Sequence, residues 1–231
     1  MEIVRQLTAM IMPGACLLCD AAHDGAGLCA ACLAELPVTG NRCYSCGAAV
    51  EQGPVCGRCR AHPPAFDHLL SAFDYAYPVD QLIHTFKYRR RLAICRALAP
   101  ALCRRVREET GALPGLLLPV PLHRRRLWQR GYNQARIIAR ALGRELGIPV
   151  ARGLAQRQRS TKEQARLRAG ARQRNLRGAF TLTGAPGSSH IAIVDDVMTS
   201  GATVGELART LRKNGVERID VWVLARTQSE G

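Results

Sequence analysis

Apolar and polar residues alternate along this chain in two rhythms, and the rhythm changes near residue 66. From Phe66 onward, short apolar runs are separated by longer segments of helical period. Gly115–Val120 (GLLLPV) and His190–Val194 (HIAIV) read as buried strands of the parallel type, which stay apolar without alternation. Leu69–Tyr75 and Ile219–Leu224 read as two more strands. A helix is expected from near Val79, with Leu82, Ile83 and Phe86 on its apolar face. PheLysTyrArgArgArg at 86–91 interrupts it, and a long helix follows to about Glu109. A further helix runs from Asn133 to Leu146, where Ile137, Ile138, Ala141 and Leu142 share a face, and another opens near Ala202. Strand, loop and helix in this order imply an α/β fold: a parallel sheet flanked by helices, with ligand-binding loops at the carboxyl ends of its strands. Before residue 66 neither rhythm holds. HisProPro at 62–64 marks the boundary, dividing the chain into a small cysteine-rich module (1–65) and the α/β domain (66–231).

Composition agrees with that architecture. The chain has 231 residues, 47% hydrophobic and 22% charged, which suits a globular protein and excludes a disordered one. No run of uncharged apolar residues is long enough to span a bilayer. The first fifteen residues carry Glu2 and Arg5 without a continuous apolar core, so no secretory signal is expected and a cytoplasmic location is.

Charge adds a feature that hydropathy hides. The net charge is +15, and residues 119–180 hold 16 Lys and Arg against only Glu145 and Glu163, so this third of the chain carries +14. Arg over Lys can reflect genomic codon bias, but codon bias does not concentrate charge. The placement points to a polyanionic partner: phosphate, pyrophosphate or nucleic acid.

Eight of the ten cysteines form four C-x-x-C pairs: Cys16/Cys19, Cys29/Cys32, Cys43/Cys46 and Cys56/Cys59. A C-x-x-C turn aims two sulfurs at one point, and two such turns complete a tetrahedral four-thiolate zinc site. A secreted disulfide framework is the competing reading, weakened by the missing signal. Either a sequential pairing or an interleaved cross-brace would give two sites. The sequential scheme is favoured, because each half repeats a turn, a Gly-containing polar loop and a second turn. Leu28–Leu36 reads as a short helix and residues 43–47 as a zinc knuckle. Each loaded site would carry a net −2, leaving the module acidic. Cys95 and Cys103, eight apart in a helical pattern, read as ordinary buried thiols.

The segment 191–205, IAIVDDVMTSGATVG, carries the clearest chemistry. An apolar strand ends in two acids, and a loop of Thr199, Ser200, Gly201, Ala202 and Thr203 then opens a helix. Such a loop turns backbone N–H groups and hydroxyls toward an anion, favoured there by the helix dipole. Gly201 lets the backbone approach closely. The lysine of a nucleotide-triphosphate P-loop is missing. Acids beside an anion site suit the hydroxyls of a sugar joined to that anion.

This segment resembles the 5-phosphoribosyl-1-pyrophosphate (PRPP) motif of type I phosphoribosyltransferases. The resemblance implies that Asp195 and Asp196 hold the ribose hydroxyls and that Thr199, Ser200, Gly201, Ala202 and Thr203 cradle the 5′-phosphate. Together with the cysteine module, PheLysTyr, the segment 119–135 (PVPLHRRRLWQRGYNQA), RQRSTKEQARL at 157–167 and RQRNLRGAF at 172–180, the chain is similar over essentially its whole length to the ComF family of competence proteins. That likeness implies a PRPP-binding, phosphoribosyltransferase-like protein that handles single-stranded DNA during uptake or utilisation, with DNA-uptake proteins as candidate partners. An active transferase, moving phosphoribose to a base or amine, is the alternative. In the phosphoribosyltransferase fold, residues 121–132 occupy the place of a pyrophosphate-binding loop, with Arg124, Arg125, Arg126, Arg130 and Gly131 as its candidates. Lys87 and Arg89 are further candidates for the leaving group. Residues 156–177 occupy the place of a flexible catalytic loop, where Arg157, Arg159, Thr161, Gln164 and Asn175 match best. Mg²⁺ would accompany PRPP, bridging pyrophosphate and ribose oxygens. Trp128 and Tyr132, set among the arginines, would offer stacking surfaces to single-stranded nucleic acid.

Overall fold

The computed structural model describes residues 14–23, 27–38, 40–158 and 176–228. The cysteine module holds a two-residue antiparallel pair, β1 (Gly14–Ala15) with β2 (Ala22–His23). Four parallel strands form the centre of the fold: β3 (His68–Asp74), β4 (Leu116–Pro119), β7 (His190–Met198) and β8 (Arg218–Arg226), in the order β3-β8-β7-β4. Helices α3 (Val79–Tyr88) and α4 (Ala93–Glu109) connect β3 to β4; α7 (Ala202–Lys213) connects β7 to β8. Between β4 and β7 lie α5 (Arg124–Arg130), α6 (Gln134–Leu146) and an antiparallel pair, β5 (Ala155–Arg157) with β6 (Phe180–Leu182). The parallel sheet flanked by helices, with a small N-terminal cysteine module, is the fold class the hydropathy pattern implied.

Period two assigns each strand residue to one of two cores. Leu70, Ala192, Val194, Trp222 and Leu224 face the helices α3, α4 and α6, where Phe86, Ile94, Leu98 and Ile138 are buried. Leu69, Ile191, Ile193, Val221 and Val223 face the opposite side, where Val204, Leu207 and Leu211 of α7 and Phe180 of β6 meet them. Covered on both faces, β7 and β8 carry the apolar runs Ile191–Val194 and Val221–Ala225 below their carboxyl ends; the buried exception, Asp220, pairs with His190 at 3.0 Å. Trp222 is fully buried at the centre of the first core. Trp222→Ala should therefore lower stability by about 3–5 kcal/mol, read as a shift of the urea midpoint without a change in slope.

The cysteine module is short of apolar residues of its own and borrows the core of the sheet. Cys16, Leu28 and Leu36 belong to the α3–α4 core. Val38 bridges Phe73 on the outer edge of β3, where the Asp74 N–H donates to the Pro37 carbonyl at 2.9 Å. Arg42 forms an ion pair with Asp74.

Two expectations need correction. The basic segment after β4 is a helix, α5, where a loop was expected. His123 caps it, its Nδ1 accepting the Arg125 N–H at 3.2 Å, and Gly131 closes it in the left-handed conformation at φ 76°. Strand β7 also continues beyond Val194, through both acids to Met198, because β8 keeps pairing with it as far as Met198 opposite Arg226. Strand β4 stops earlier, with Pro119 opposite Val194.

Candidate functional site

The unequal lengths of β4 and β8 build the site. Beyond Val194, β7 has a sheet partner on one side only, so Asp195 and Asp196 stand at an open carboxyl edge. The Asp196 N–H donates to Asp195 Oδ1 at 2.9 Å, which holds the first carboxylate against the strand. Lys87, in the last turn of α3, places Nζ 3.0 Å from Asp196 Oδ1. Desolvation, then the neighbouring charge of Asp196, pushes the Asp195 carboxyl up to about 7; Lys87 and Arg157 pull the other way. Burial works against the charge on Lys87, but Asp196 and then Asp195 outweigh it and hold the ammonium pKa above its usual value. A cation thus already sits across the acid pair.

The loop after β7 presents Thr199 and Ser200 to solvent. Gly201 turns it into α7 at φ 75°, and no side chain caps the helix. The first N–H groups of α7 therefore lack both helical and side-chain acceptors, as an anion site requires. A side chain at Gly201 would carry the strain of a positive φ, and its Cβ would come within 2.7 Å of Met198 Cε.

The structure brings some of the sequence-derived candidates to this edge and places others elsewhere. Lys87 is there. Arg157, on β5, stacks its guanidinium 5.8 Å from the Phe180 ring and is close enough to influence Asp195. Arg159, Thr161, Gln164 and Asn175 lie outside the described residues. Arg89 lines a separate hollow with Tyr75, Asp80 and His84. Arg124 and Arg125 are exposed on α5, and Arg126 is half-buried. Arg130 lies 5.1 Å over the Tyr88 ring and donates weakly to Gln134 at 3.4 Å, while Arg90 Nε donates to its carbonyl at 3.2 Å. Gly131 closes α5 in the left-handed conformation and makes the tight turn toward α6 that was expected of it. Trp128 is 86% exposed, whereas Tyr132 is no stacking surface: its hydroxyl donates to the Phe86 carbonyl and its ring packs on Phe86.

Two residues escaped the sequence reading. Glu206 on α7 is buried; it accepts the Gly178 N–H at 2.7 Å and pairs with Arg209 at 2.8 Å. An acid within the apolar stripe Val204–Ala208 was the available signal. Arg226, discussed below, gave none.

The cysteines form two separate clusters, Cys16/Cys19/Cys29/Cys32 and Cys43/Cys46/Cys56/Cys59, each with its sulfurs within 4.8 Å of one another. The pairing is sequential. Each ligand of the second cluster lies 27 residues after its counterpart in the first, and the local geometry repeats as well. The Cys16 and Cys43 N–H groups donate to Ala21 and Ala48 at 2.9 and 2.8 Å. The Cys29 and Cys56 N–H groups donate to the Cys16 and Cys43 sulfurs at 3.4 and 3.3 Å. Helices α1 (Ala30–Ala34) and α2 (Gly57–Ala61) follow. Between turns, Cys19–Cys29 and Cys46–Cys56 are separated by 3.7 and 3.8 Å, close to the edge of about 3.8 Å of a tetrahedron with zinc–sulfur bonds of about 2.3 Å. Burial opposes ionisation of Cys16 and Cys43, but backbone N–H donors outweigh it and bring the two thiols down to about 6 and about 7. Each cluster thus has one sulfur prepared to meet a metal.

Taken together, fold and site define a class: a parallel α/β protein with an acid pair and an uncapped helix start at its carboxyl edge, carrying a duplicated four-cysteine cluster. Residues 7–60 match the family model of the double zinc ribbon domain. Over 225 residues, 94% of this chain and 99% of the relative, the sequence is 38% identical to the DNA utilization protein YhgH of Salmonella typhimurium. It is 36% identical over 208 residues to Competence protein F of Haemophilus influenzae, covering 87% of this chain and 90% of that one. The chain belongs to this competence and DNA utilization family, the ComF family. A solved purine phosphoribosyltransferase from Pyrococcus horikoshii overlaps 56% of this chain and 70% of its own, with a TM-score of 0.33 and 21% identity. No helix among the described residues is long and apolar enough to cross a membrane.

Proposed function

We propose that the chain binds PRPP, with the ribose hydroxyls on Asp195 and Asp196 and the 5′-phosphate in the Thr199–Thr203 loop, and that it handles single-stranded DNA during competence or DNA utilisation. The observation that carries the first half is the open edge of β7: two adjacent acids faced by Lys87, followed directly by an uncapped helix start. Lys87 and Arg157 are the described cations suited to the pyrophosphate, with Mg²⁺ supplying the remaining counter-charge, and Arg159 is assigned to the same role. The eight cysteines hold two zinc ions in module 1–65, and residues 66–231 form the phosphoribosyltransferase-like domain.

The DNA half draws on the names of the relatives and on α5. Arg124 and Arg125 are exposed beside Trp128, an aromatic face with charge on the same short helix. Stacking of one base is worth about 1–3 kcal/mol, so Trp128→Ala should weaken single-stranded DNA binding roughly 5- to 150-fold. Affinity should also fall steeply with salt, and replacing Arg124 and Arg125 by alanine should flatten that slope, because each phosphate contact releases counterions. Fluorescence anisotropy across a salt series checks both; a flat response in the unaltered protein would remove DNA from the proposal.

The second reading, a working phosphoribosyltransferase, is favoured by the cations already at the acid pair, which suit departure of pyrophosphate from an oxocarbenium-like carbon. One experiment separates the two: incubation with PRPP, Mg²⁺ and a panel of bases, with pyrophosphate measured. Release above background makes the chain a transferase; PRPP binding without release supports the DNA-handling role.

A further inference from the structure

Arg226 ends β8 as a buried cation. It is 1% exposed, and among the described residues no carboxylate forms an ion pair with it. Its Nε donates to the Cys46 carbonyl at 3.1 Å, and its Nη1 to the carbonyls of Met198 at 3.3 Å and Thr227 at 2.5 Å. A buried guanidinium bonded only to neutral acceptors is costly, because carbonyl dipoles replace hydration incompletely. A loaded four-thiolate site, with a net −2, would supply the missing negative charge next to Cys46.

The other end of this bridge is the anion loop. Met198 is the residue immediately before Thr199. Its carbonyl is gripped by Arg226 and by the Thr227 N–H at 3.0 Å, while its side chain lies beneath Gly201. A cleft of about 360 Å³ has Cys46, Arg58 and Cys59 on one wall and Met198, Ser200, Gly201 and Ala202 on the other. Ribbon and loop therefore face each other, and Arg226 is the residue bonded to both. Among the described residues the first cluster has no such link: its Cys16, with Leu28, packs in the core under α3 and α4.

We propose that Arg226 is a positioning residue through which occupancy of the second four-thiolate site sets the geometry of the Thr199–Thr203 loop. Its consequence for PRPP rests on the assignment of that ligand made above; the coupling itself does not. With zinc in place, Arg226 is charge-compensated and holds the Met198 carbonyl. Without it, the guanidinium loses its counter-charge and the Met198 carbonyl keeps only the Thr227 N–H as a backbone donor, which loosens the loop. The first site has no part in this.

Hydrogen–deuterium exchange of peptides covering 196–205, in the full-length zinc-loaded protein, tests the coupling. Arg226→Met should raise loop exchange at least about tenfold while both zinc equivalents remain, and Arg226→Lys should restore part of the protection. Cys46→Ser with Cys59→Ser, which removes the second zinc, should raise loop exchange to the same level, and adding Arg226→Met should change nothing further. Cys16→Ser with Cys19→Ser should raise exchange in the α3–α4 core, where Cys16 and Leu28 pack, and leave the loop protected. Unchanged loop exchange in Arg226→Met overturns the proposal, as do additive effects or an equal response to loss of the first zinc. A rise extending to Ile191–Val194 and α4 also overturns it, because Arg226 would then be a general support of the fold. PRPP affinity, measured in parallel by calorimetry, should fall about tenfold in Arg226→Met. Failure of the unaltered protein to bind PRPP would sink the ligand assignment and leave the exchange result to decide the coupling.

Discussion

Replacing Asp195 and Asp196 together by asparagine should weaken PRPP binding at least about a hundredfold, with both zinc equivalents retained. Hydrogen bonds to charged acceptors contribute about 1.5–3 kcal/mol each, and the pair would accept two from the ribose. The sign is what makes the test decisive. The double variant makes the site more positive by up to two charges and frees Lys87 from its ion pair at 3.0 Å. If the acids only balanced the local cations, a polyanion should bind the variant more tightly; only recognition of the sugar hydroxyls makes it bind more weakly. Calorimetry at constant Mg²⁺ reads the difference, and binding at wild-type strength or better would end the assignment. The pH dependence should carry the same signature. Burial and the charge of Asp196 push Asp195 up to about 7, so below that pH it is mostly protonated and a poorer acceptor. PRPP affinity should therefore rise as pH climbs from about 6 to 8, and that rise should disappear in the double asparagine variant.

Cys16→Ser combined with Cys29→Ser should remove one zinc equivalent and leave the other, measured by metal analysis of the purified protein. Both residues belong to the first cluster. In a cross-brace they would fall in different clusters, and both metals would be lost. Stability should fall as well, because structural zinc sites couple metal binding free energy, of order 10 kcal/mol, to folding. Cys16, Leu28 and Leu36 lie in the α3–α4 core, so loosening the first ribbon opens that core to water. A large drop in melting temperature is expected, and its absence would show that the ribbon folds independently of the sheet.

Much of this was visible in local sequence because the interactions concerned are local. The apolar runs of β4, β7 and β8 are set by burial on both faces. The segment Asp195–Thr203 carries its chemistry within a few residues, so its strand, acids, glycine and helix start could be recognised together. The C-x-x-C turns are likewise self-contained. Helix α5 leaves no periodic mark in the sequence because none of its residues is buried: it has no apolar stripe and rests on the His123 cap and Gly131. Two adjacent acids look like the end of a strand, but the backbone of β8 continues the pairing with β7 to Met198 regardless of side chain.

The sequence by itself determined the fold class, the eight thiols and the acid pair with its loop, because each is written in neighbouring residues. Tertiary structure alone decided which thiols share a cluster, since nearly equal gaps leave sequential and cross-braced pairing equally spaced. It also decided that Tyr132 is packed on Phe86 while Trp128 stands free, and that Lys87 reaches Asp196 across more than a hundred residues. Arg226 is the extreme case. Nothing near it in the chain separates it from any other arginine at the end of a strand. Its burial and its two distant carbonyls exist only because the second ribbon folds back onto the edge of the sheet.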